Sequence, residues 1–393
     1  MSISLLIKSL LRRKIITLLL LIQIAFTLAL VANSFVLAQQ AQQLITQPTG
    51  LDLHNTLALQ LKPTTATLRQ QPALGELLGR QQRAIADLPG VISVGWSNQP
   101  PLVWGGNRVS VSIPDQQETS NRDFIPLQLS SVSGMDALSL QLLRGLWFED
   151  TDLDTRAVVL TQSIAQELFG EEVAVGQLIN HGTVIGVVGD VLLHRSSSNP
   201  YHGMFMHRSL DSVDWGYALM IKTQPGQLEQ VRQQLPDLLR SIEPETYILR
   251  LNSLAEMRNE LYHEERGMAI LLSVLSGLML LVSLISAYSH ALFHGLQQQN
   301  EIGIKRALGA NKQRILFDVF SESWLTTGLG AVLGIIASYL LHQQLATVIS
   351  LPALPLWVPL ATASVLLLCV TIATWYPAAI ATRVSPATAT KAL

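Results

Sequence analysis

Four long apolar runs punctuate the chain, at residues 15–37, 267–293, 324–341 and 357–381. A helix needs about 20 apolar residues to cross a bilayer, so each run predicts a membrane span. The third has the least definite ends, because Thr326, Thr327 and His342 interrupt or border it. Residues 38–266, between the first two spans, show the mixed pattern of a soluble domain. There "LHNTLALQLK" alternates as a strand does, and "VISVGW", "RVSVSI" and "TYILRL" also read as strands. "ALGELLGRQQRAIADLPGV" has a helical period stopped by Pro89-Gly90, "TQSIAQELFG" a short one stopped by Gly170, and "GQLEQVRQQLPDLLRSI" a third. "TVIGVVGDV" reads as a buried strand. The pattern places β-α-β units at both ends of the domain and a more irregular, Gly/Ser/Pro-rich stretch in its middle. It therefore divides the domain into flanking segments, 38–113 and 215–266, around an inserted lobe, 114–214.

The stretch "SLAEMRNELYHEERG" leads from this domain into the second span. Ser253 and Glu256 have the spacing of a capping box, in which each side chain satisfies the other's free backbone N–H. The helical pattern from there runs without Gly or Pro until Gly267, which predicts a continuous, rigid lever into the membrane. "AQQAQQLITQ", after the first span, is rich in helix formers and is expected to stand beside it.

Charge gives these spans a direction. Short cytoplasmic segments carry the Lys and Arg excess. Lys8, Arg12, Arg13 and Lys14 precede the first span, Lys305, Arg306, Lys312 and Arg314 lie between the second and third, and Arg383 and Lys391 follow the fourth. Residues 342–356, between the third and fourth, hold no Lys or Arg. Both termini and the 294–322 segment are therefore expected in the cytoplasm, and the 38–266 domain outside. The first run is too long for a signal-peptide core, and "VLAQ" is a poor cleavage site, so it reads as an uncleaved anchor. A net charge of -2 offers nothing to nucleic acid. The single cysteine, Cys369, excludes an intramolecular disulfide and reads as a small buried apolar residue.

Candidate catalytic and ligand-binding patterns fall away one by one. His181, His194, His202 and His207 lack the spacing of a metal site and read as residues of a solvated loop. "HEERG" at His263 begins like a zinc-protease helix, but Gly267 stands where the second histidine belongs. "GLGAVLG", at 328–334, lies inside an apolar span, where small residues serve close helix packing. No G-x-x-x-x-G-K-[ST] loop for ATP phosphates occurs in the sequence. The centres of the spans are essentially free of acidic residues, which argues against a proton relay.

What remains is "NEIGIKRALGANKQRI", a dense patch of charge between two spans. Ile302, Ile304, Ala307 and Leu308 alternate there with Glu301, Lys305 and Arg306, and Gly309-Ala310-Asn311 interrupts the pattern. Such a segment at the cytoplasmic face can rest in headgroups, pack on its own protein or present a docking surface.

The segment resembles the E-I-G-I-[KR]-x-[AL]-x-G-A run of FtsX-like, MacB-type ABC transporter permeases. Other stretches are similar in the same order. "IKSLLRRKIITLLLLIQIAFTLAL" resembles the family's N-terminal anchor. "LLRGLWFEDTDLDTRAVVLTQSIAQELFGEEVAVGQLINHGTVIGVVGDV" resembles its outer domain, and "VSPATATKAL" its usual ending. One departure is that "HALFHGLQQQN" carries Gln where an Arg-containing run is common.

The resemblance implies an α-helical membrane protein with four transmembrane helices and a large α+β extracytoplasmic domain, a porter-like subdomain with an inserted lobe. It implies a permease domain over 267–393, in the bacterial inner membrane. The permease would pair with a second copy or a related permease and be driven by a separate cytoplasmic ABC ATPase dimer. ATP and Mg would be bound by that partner, with no cofactor in this chain and no enzymatic activity of its own. Glu301, Ile302, Gly303, Ile304, Lys305, Arg306, Leu308, Gly309 and Ala310 would form the coupling element that the ATPase touches. The implied function is export of a peptide or amphiphilic substrate, with a periplasmic adaptor and an outer-membrane channel as further partners. Within the family the alternatives are a mechanical signalling subunit that regulates outer-side hydrolases, and lipoprotein extraction.

Overall fold

The computed structural model describes residues 14–114, 120–170, 172–195, 199–211, 213–297, 302, 311–347 and 351–381. The chain forms two compact units, Gln47–Tyr262 and the two flanking portions Met1–Thr46 and His263–Leu393.

The Gln47–Tyr262 unit contains two sheets. Helix α1 (Lys14–Thr46) belongs to the other unit; in this one, strands β1 (Thr56–Pro63) and β2 (Val91–Ser97) flank helix α2 (Ala73–Ala86). Strands β3 (Arg108–Val111) and β4 (Arg122–Leu129), the short helix α3 (Gly134–Leu138), β5 (Leu142–Gly145), β6 (Ala157–Thr161) and α4 (Gln162–Phe169) follow. Then come β7 (Leu178–Ile179), β8 (Gly182–Val188), β9 (Met204–Met206), β10 (Tyr217–Thr223), α5 (Leu228–Ile242), β11 (Thr246–Ser253) and α6 (Leu254–Leu261).

The first sheet is antiparallel, in the order β11-β1-β10-β2. It is built from the two expected β-α-β units, β1-α2-β2 and β10-α5-β11, interleaved so that β10 separates β1 from β2. Leu57, Leu59, Leu61, Leu219 and Ile221 of the sheet meet Leu74, Leu78 and Ile85 of α2 and Val231, Leu235 and Leu239 of α5. Those three residues of α5 recur every four positions, which puts them on one face of the helix.

The middle stretch, expected to be irregular, is instead a mixed sheet in the order β3-β4-β9-β6-β8-β5, with β7 also on β8. Its core joins Val158, Leu160, Val184, Val187, Met204 and Met206 to Ile164 of α4. Helix α4 stops where expected, at Gly170, whose φ of 61° lies in the left-handed region that glycine tolerates. The two sheets are joined by side chains. Gln128 Nε2 donates to the Ser97 hydroxyl, and Asn98 Oδ1 accepts from Leu129 N at 2.9 Å. His207 is flanked by the rings of Trp96 and Phe148, each with its centroid 6.0 Å away.

The expected capping box is present. Ser253 Oγ accepts from Glu256 N at 3.2 Å, and Glu256 Oε2 accepts from Ser253 N at 2.8 Å. The continuous lever is not. Helix α6 ends at Leu261, Tyr262 turns out of helical geometry at φ −111° and ψ 18°, and a new helix starts at His263. Neither glycine nor proline marks this break. Tyr262 is almost fully buried, so packing of its ring replaces helical continuity.

The other unit is a bundle of four helices long and apolar enough to cross a membrane: α1 (Lys14–Thr46), α7 (His263–Gln297), α8 (Lys312–Ala346) and α9 (Trp357–Ala381). At 1.5 Å per residue the first three reach about 50 Å, well beyond an apolar core of about 30 Å. The expected third span, 324–341, is thus the centre of a longer helix that continues through polar residues at both ends. Cys369 is half-buried and lines an apolar groove with Leu284, Ile285 and Tyr288 of α7, a more open setting than expected.

Candidate functional site

Helix α1 packs against both α7 and α8, and the sequence supplies two devices for this. The first is a pair of glycines. A Cβ on Gly330 would stand 2.9 Å from Ile24 Cβ, and one on Gly334 would stand 2.9 Å from Leu28 Cβ and 3.1 Å from Ala25 Cα. Those distances leave no room for a side chain, so α8 can lie this close to α1 only with glycine there. Gly328, the first glycine of "GLGAVLG", has nothing within 4 Å of such a Cβ. Close packing therefore rests on Gly330 and Gly334.

The second device is a set of polar side chains on α1. Asn33 Nδ2 donates to Ser338 O at 3.0 Å, and Asn33 Oδ1 lies 3.1 Å from His342 Nδ1, which ties α1 to α8. Ser34 Oγ donates to Leu272 O at 3.0 Å and lies 2.6 Å from Ser276 Oγ. Thr27 Oγ1 lies 2.9 Å from Ser283 Oγ, so two levels of contact bind α1 to α7. Each such bond between membrane helices contributes about 0.6 kcal/mol. The sequence reading passed over these groups. The signal was available, because Thr27 and Ser34 are seven apart, two helical turns, in an otherwise apolar run. A cavity lined by Gln23, Ser283, His290, Thr326 and Thr327 measures about 30 Å³, room for a water molecule and not for a cargo.

Of the nine residues assigned to coupling, Ile302 is described. It is buried and packs against Ile315 in the first turn of α8. Glu301, Gly303, Ile304, Lys305, Arg306, Leu308, Gly309 and Ala310 lie outside the described residues. Helix α8 begins after Asn311, with Lys312 and Arg314 exposed and no acidic residue in its first turn. Cations at a helix N-terminus oppose its dipole. Their presence there points to a use other than helix stability.

The histidines expected in a solvated loop are, with one exception, inside the Gln47–Tyr262 unit. His194, His202 and His207 are buried and His181 is half-exposed. His202 Nε2 lies 2.9 Å from Glu167 Oε2, and His207 Nδ1 lies 2.7 Å from Ser130 O. The loop folds inward because the neighbouring β9, "MFM", is buried on both faces. Among the described residues no group of three or more His, Cys, Asp or Glu side chains could hold a metal ion. Burial, reinforced by the positive charge of Arg108, pushes the His194 pKa down from 6.5 to about 4. Between those pH values the unfolded chain binds a proton that the folded one refuses, so stability falls as pH falls through that window and is level above it. The full cost is about 3 kcal/mol at 1.36 kcal/mol per unit. Thermal unfolding followed by tryptophan fluorescence from pH 7.5 to 4 should show this loss, and His194→Asn should reduce it, leaving the part due to His202, whose pKa burial also lowers.

Four helices long and apolar enough to cross a membrane, with a two-sheet domain inserted after the first, define an integral membrane protein. Comparison with known proteins specifies it further. The family pattern described as "MacB-like periplasmic core domain" matches residues 17–238, and "FtsX-like permease C-terminal" matches residues 273–386. The chain belongs to this FtsX-like, MacB-type family of ABC transporter permeases.

It is 27% identical over 166 residues to the macrolide export ATP-binding/permease protein MacB of Rhodopirellula baltica, a match covering 41% of this chain and 24% of the relative. It is 28% identical over 234 residues to the probable syringafactin export ATP-binding/permease protein SyfD of Pseudomonas syringae pv. tomato, covering 55% of this chain and 34% of the relative. The chain thus spans a quarter to a third of the length of these relatives. The periplasmic region of MacB from Actinobacillus actinomycetemcomitans is a structural neighbour at 14% identity and TM-score 0.36, covering 54% of this chain and 94% of that one.

Proposed function

We propose that the chain is the permease subunit of an export system in which a separate cytoplasmic ATPase works through the 301–310 segment to move the outer domain. The observation that carries this reading is the locking of α1 to both α7 and α8 by the Gly330 and Gly334 seats and by Asn33, Ser34 and Thr27. A push delivered between α7 and α8 then reaches all three helices together, and two of them, α1 and α7, adjoin the outer domain in sequence. No phosphate-binding loop occurs in the 393 residues, so none of them is assigned to ATP hydrolysis.

The substrate class that fits is a peptide or amphiphile taken up on the outer side. The permease works as a pair of copies in a bacterial inner membrane, and an adaptor and outer-membrane duct complete the path. The Lys and Arg distribution supports cytoplasmic termini and an outer-side location for residues 47–262. An impermeant thiol reagent should label Asp150→Cys but not Asn311→Cys in intact cells, both in a Cys369→Ala background. Label on Asn311→Cys would reverse the orientation.

The 393-residue chain purified alone should show no ATP turnover above a membrane-protein blank. Turnover should appear on addition of an ATPase recovered with it from native membranes. Hydrolysis that survives removal of every other polypeptide would refute the separate-ATPase arrangement.

A further inference from the structure

The outer unit has two chain exits toward the spans, at Gln47 and at Tyr262. A single basic side chain stands where they meet. The Arg195 guanidinium carbon lies 5.0 Å from the centroid of the Tyr262 ring and 4.9 Å from that of Trp104. Its Nη1 donates at 3.0 Å to the carbonyl of Leu261, the last residue of α6. A guanidinium is suited to this place, because it can stack on aromatic faces while its edge donates. A cation also complements the carbonyl end of a helix. Tyr262 in turn accepts at its hydroxyl from Gln47 Nε2 at 2.6 Å. The Arg195 backbone is fixed as well, since its N–H donates to Val103 O at 3.0 Å and Val103 N donates to Leu193 O at 3.3 Å. Close by, the carbonyls of Thr49 and Pro48 accept from Leu192 N at 2.9 Å and from the Tyr201 hydroxyl at 3.0 Å. The exits are thus fastened through Leu192, Arg195 and Tyr201.

This clamp coincides with the helix break at Tyr262, where α6 and α7 are not continuous. We propose that Arg195 is a positioning residue that holds the two exits, Gln47–Thr49 and Leu261–Tyr262, in one fixed arrangement. The inference deepens the mechanical reading of the permease and rests on it for its function, though not for its geometry.

The test uses the full chain in lipid nanodiscs, in a Cys369→Ala background, with spin labels on the two exits at the exposed positions Pro48→Cys and Asn259→Cys. Pulsed dipolar spectroscopy should give one narrow distance in the parent chain. Arg195→Gln and Tyr262→Leu should broaden it. Arg195→Lys, which keeps the cation, and Tyr262→Phe, which keeps the ring, should stay close to the parent. An unchanged narrow distance in Arg195→Gln overturns the proposal whether or not the chain is a driven permease.

A second measurement adds the ATPase recovered from native membranes and follows the distance between Asp150→Cys labels on the two copies. ATP should shift it in the parent. Arg195→Gln should lose that shift while keeping ATP turnover and the shift between Glu264→Cys labels. Retention of the Asp150 shift in Arg195→Gln would also overturn the role. If the parent shows no ATP-driven shift at either site, the permease reading fails, and the first measurement still decides the clamp.

Discussion

Leu308→Asp or Gly309→Val, in the segment between α7 and α8, should release the cytoplasmic ATPase and abolish ATP-dependent function while the permease remains inserted and paired. The segment joins two membrane helices, so a partner that grips it moves both. Its apolar residues would grip by burial, and a leucine or isoleucine entering a cleft contributes about 1.5–3 kcal/mol. A carboxylate at 308 removes that gain and adds a desolvation cost. Gly309 is expected to set the turn ahead of Asn311, with backbone angles that a β-branched residue resists. Ile302 packs on Ile315 within the protein, so under the docking arrangement contact with a partner would rest on residues beyond it. The competing arrangement is a helix resting in lipid headgroups, held by Lys305, Arg306 and Lys312 at about 1 kcal/mol each. Paired substitution Lys305→Gln with Lys312→Gln separates the two. Co-purification of the ATPase should survive it under the docking arrangement and fail under the headgroup one. Loss of the complex on charge removal, with Leu308→Asp harmless, would sink the docking arrangement.

Gly334→Leu should separate α1 from α8 and destabilise the bundle by about 1–3 kcal/mol, the usual range for forced overpacking. A first side-chain carbon there already meets Leu28 Cβ at 2.9 Å and the Ala25 backbone at 3.1 Å, and backbone cannot step aside as a side chain can. Moving α8 outward also strains the Asn33 bonds to Ser338 and His342, one turn and two turns further along. Gly328→Leu is the matched control, since its new side chain enters open space within the protein. Thermal unfolding of both variants in the same detergent makes the comparison, and equal stability would remove the seat from the mechanism. In function, Gly334→Leu should keep ATP binding by the partner and lose export.

The spans were legible because membrane crossing imposes a length of apolar sequence that little else imitates. Their ends were not, since α8 begins 12 residues before the expected Trp324 and runs five beyond Leu341, through residues whose helicity comes from packing and propensity. In the outer domain, strands with one wet face could be read from alternation. β10, "YALMIKT", is buried on both faces at the centre of its sheet and so shows none. β9 is three residues long, and β4 contains Pro126, which obscures its pattern. The break at Tyr262 and the burial of His194 depend on contacts with residues far away in the chain, which no local pattern records. The family resemblance pointed to the 301–310 segment. The groups that bind the bundle together, Asn33 above all, were hidden by the hydrophobicity around them.

The contacts of α1 also set an order of events in synthesis. Its partners Leu272, Ser276, Ser283, Ser338 and His342 lie 238 to 309 residues later in the chain. A ribosome adding about 5–20 residues per second needs some 15–60 s to reach the last of them. During that interval Asn33, Ser34 and Thr27 sit in a bilayer without their helix partners, apart from bonds back to their own helix such as Asn33 Nδ2 to Ala29 O. The newborn anchor therefore carries three polar side chains, on two faces, before the remaining helices arrive to receive them.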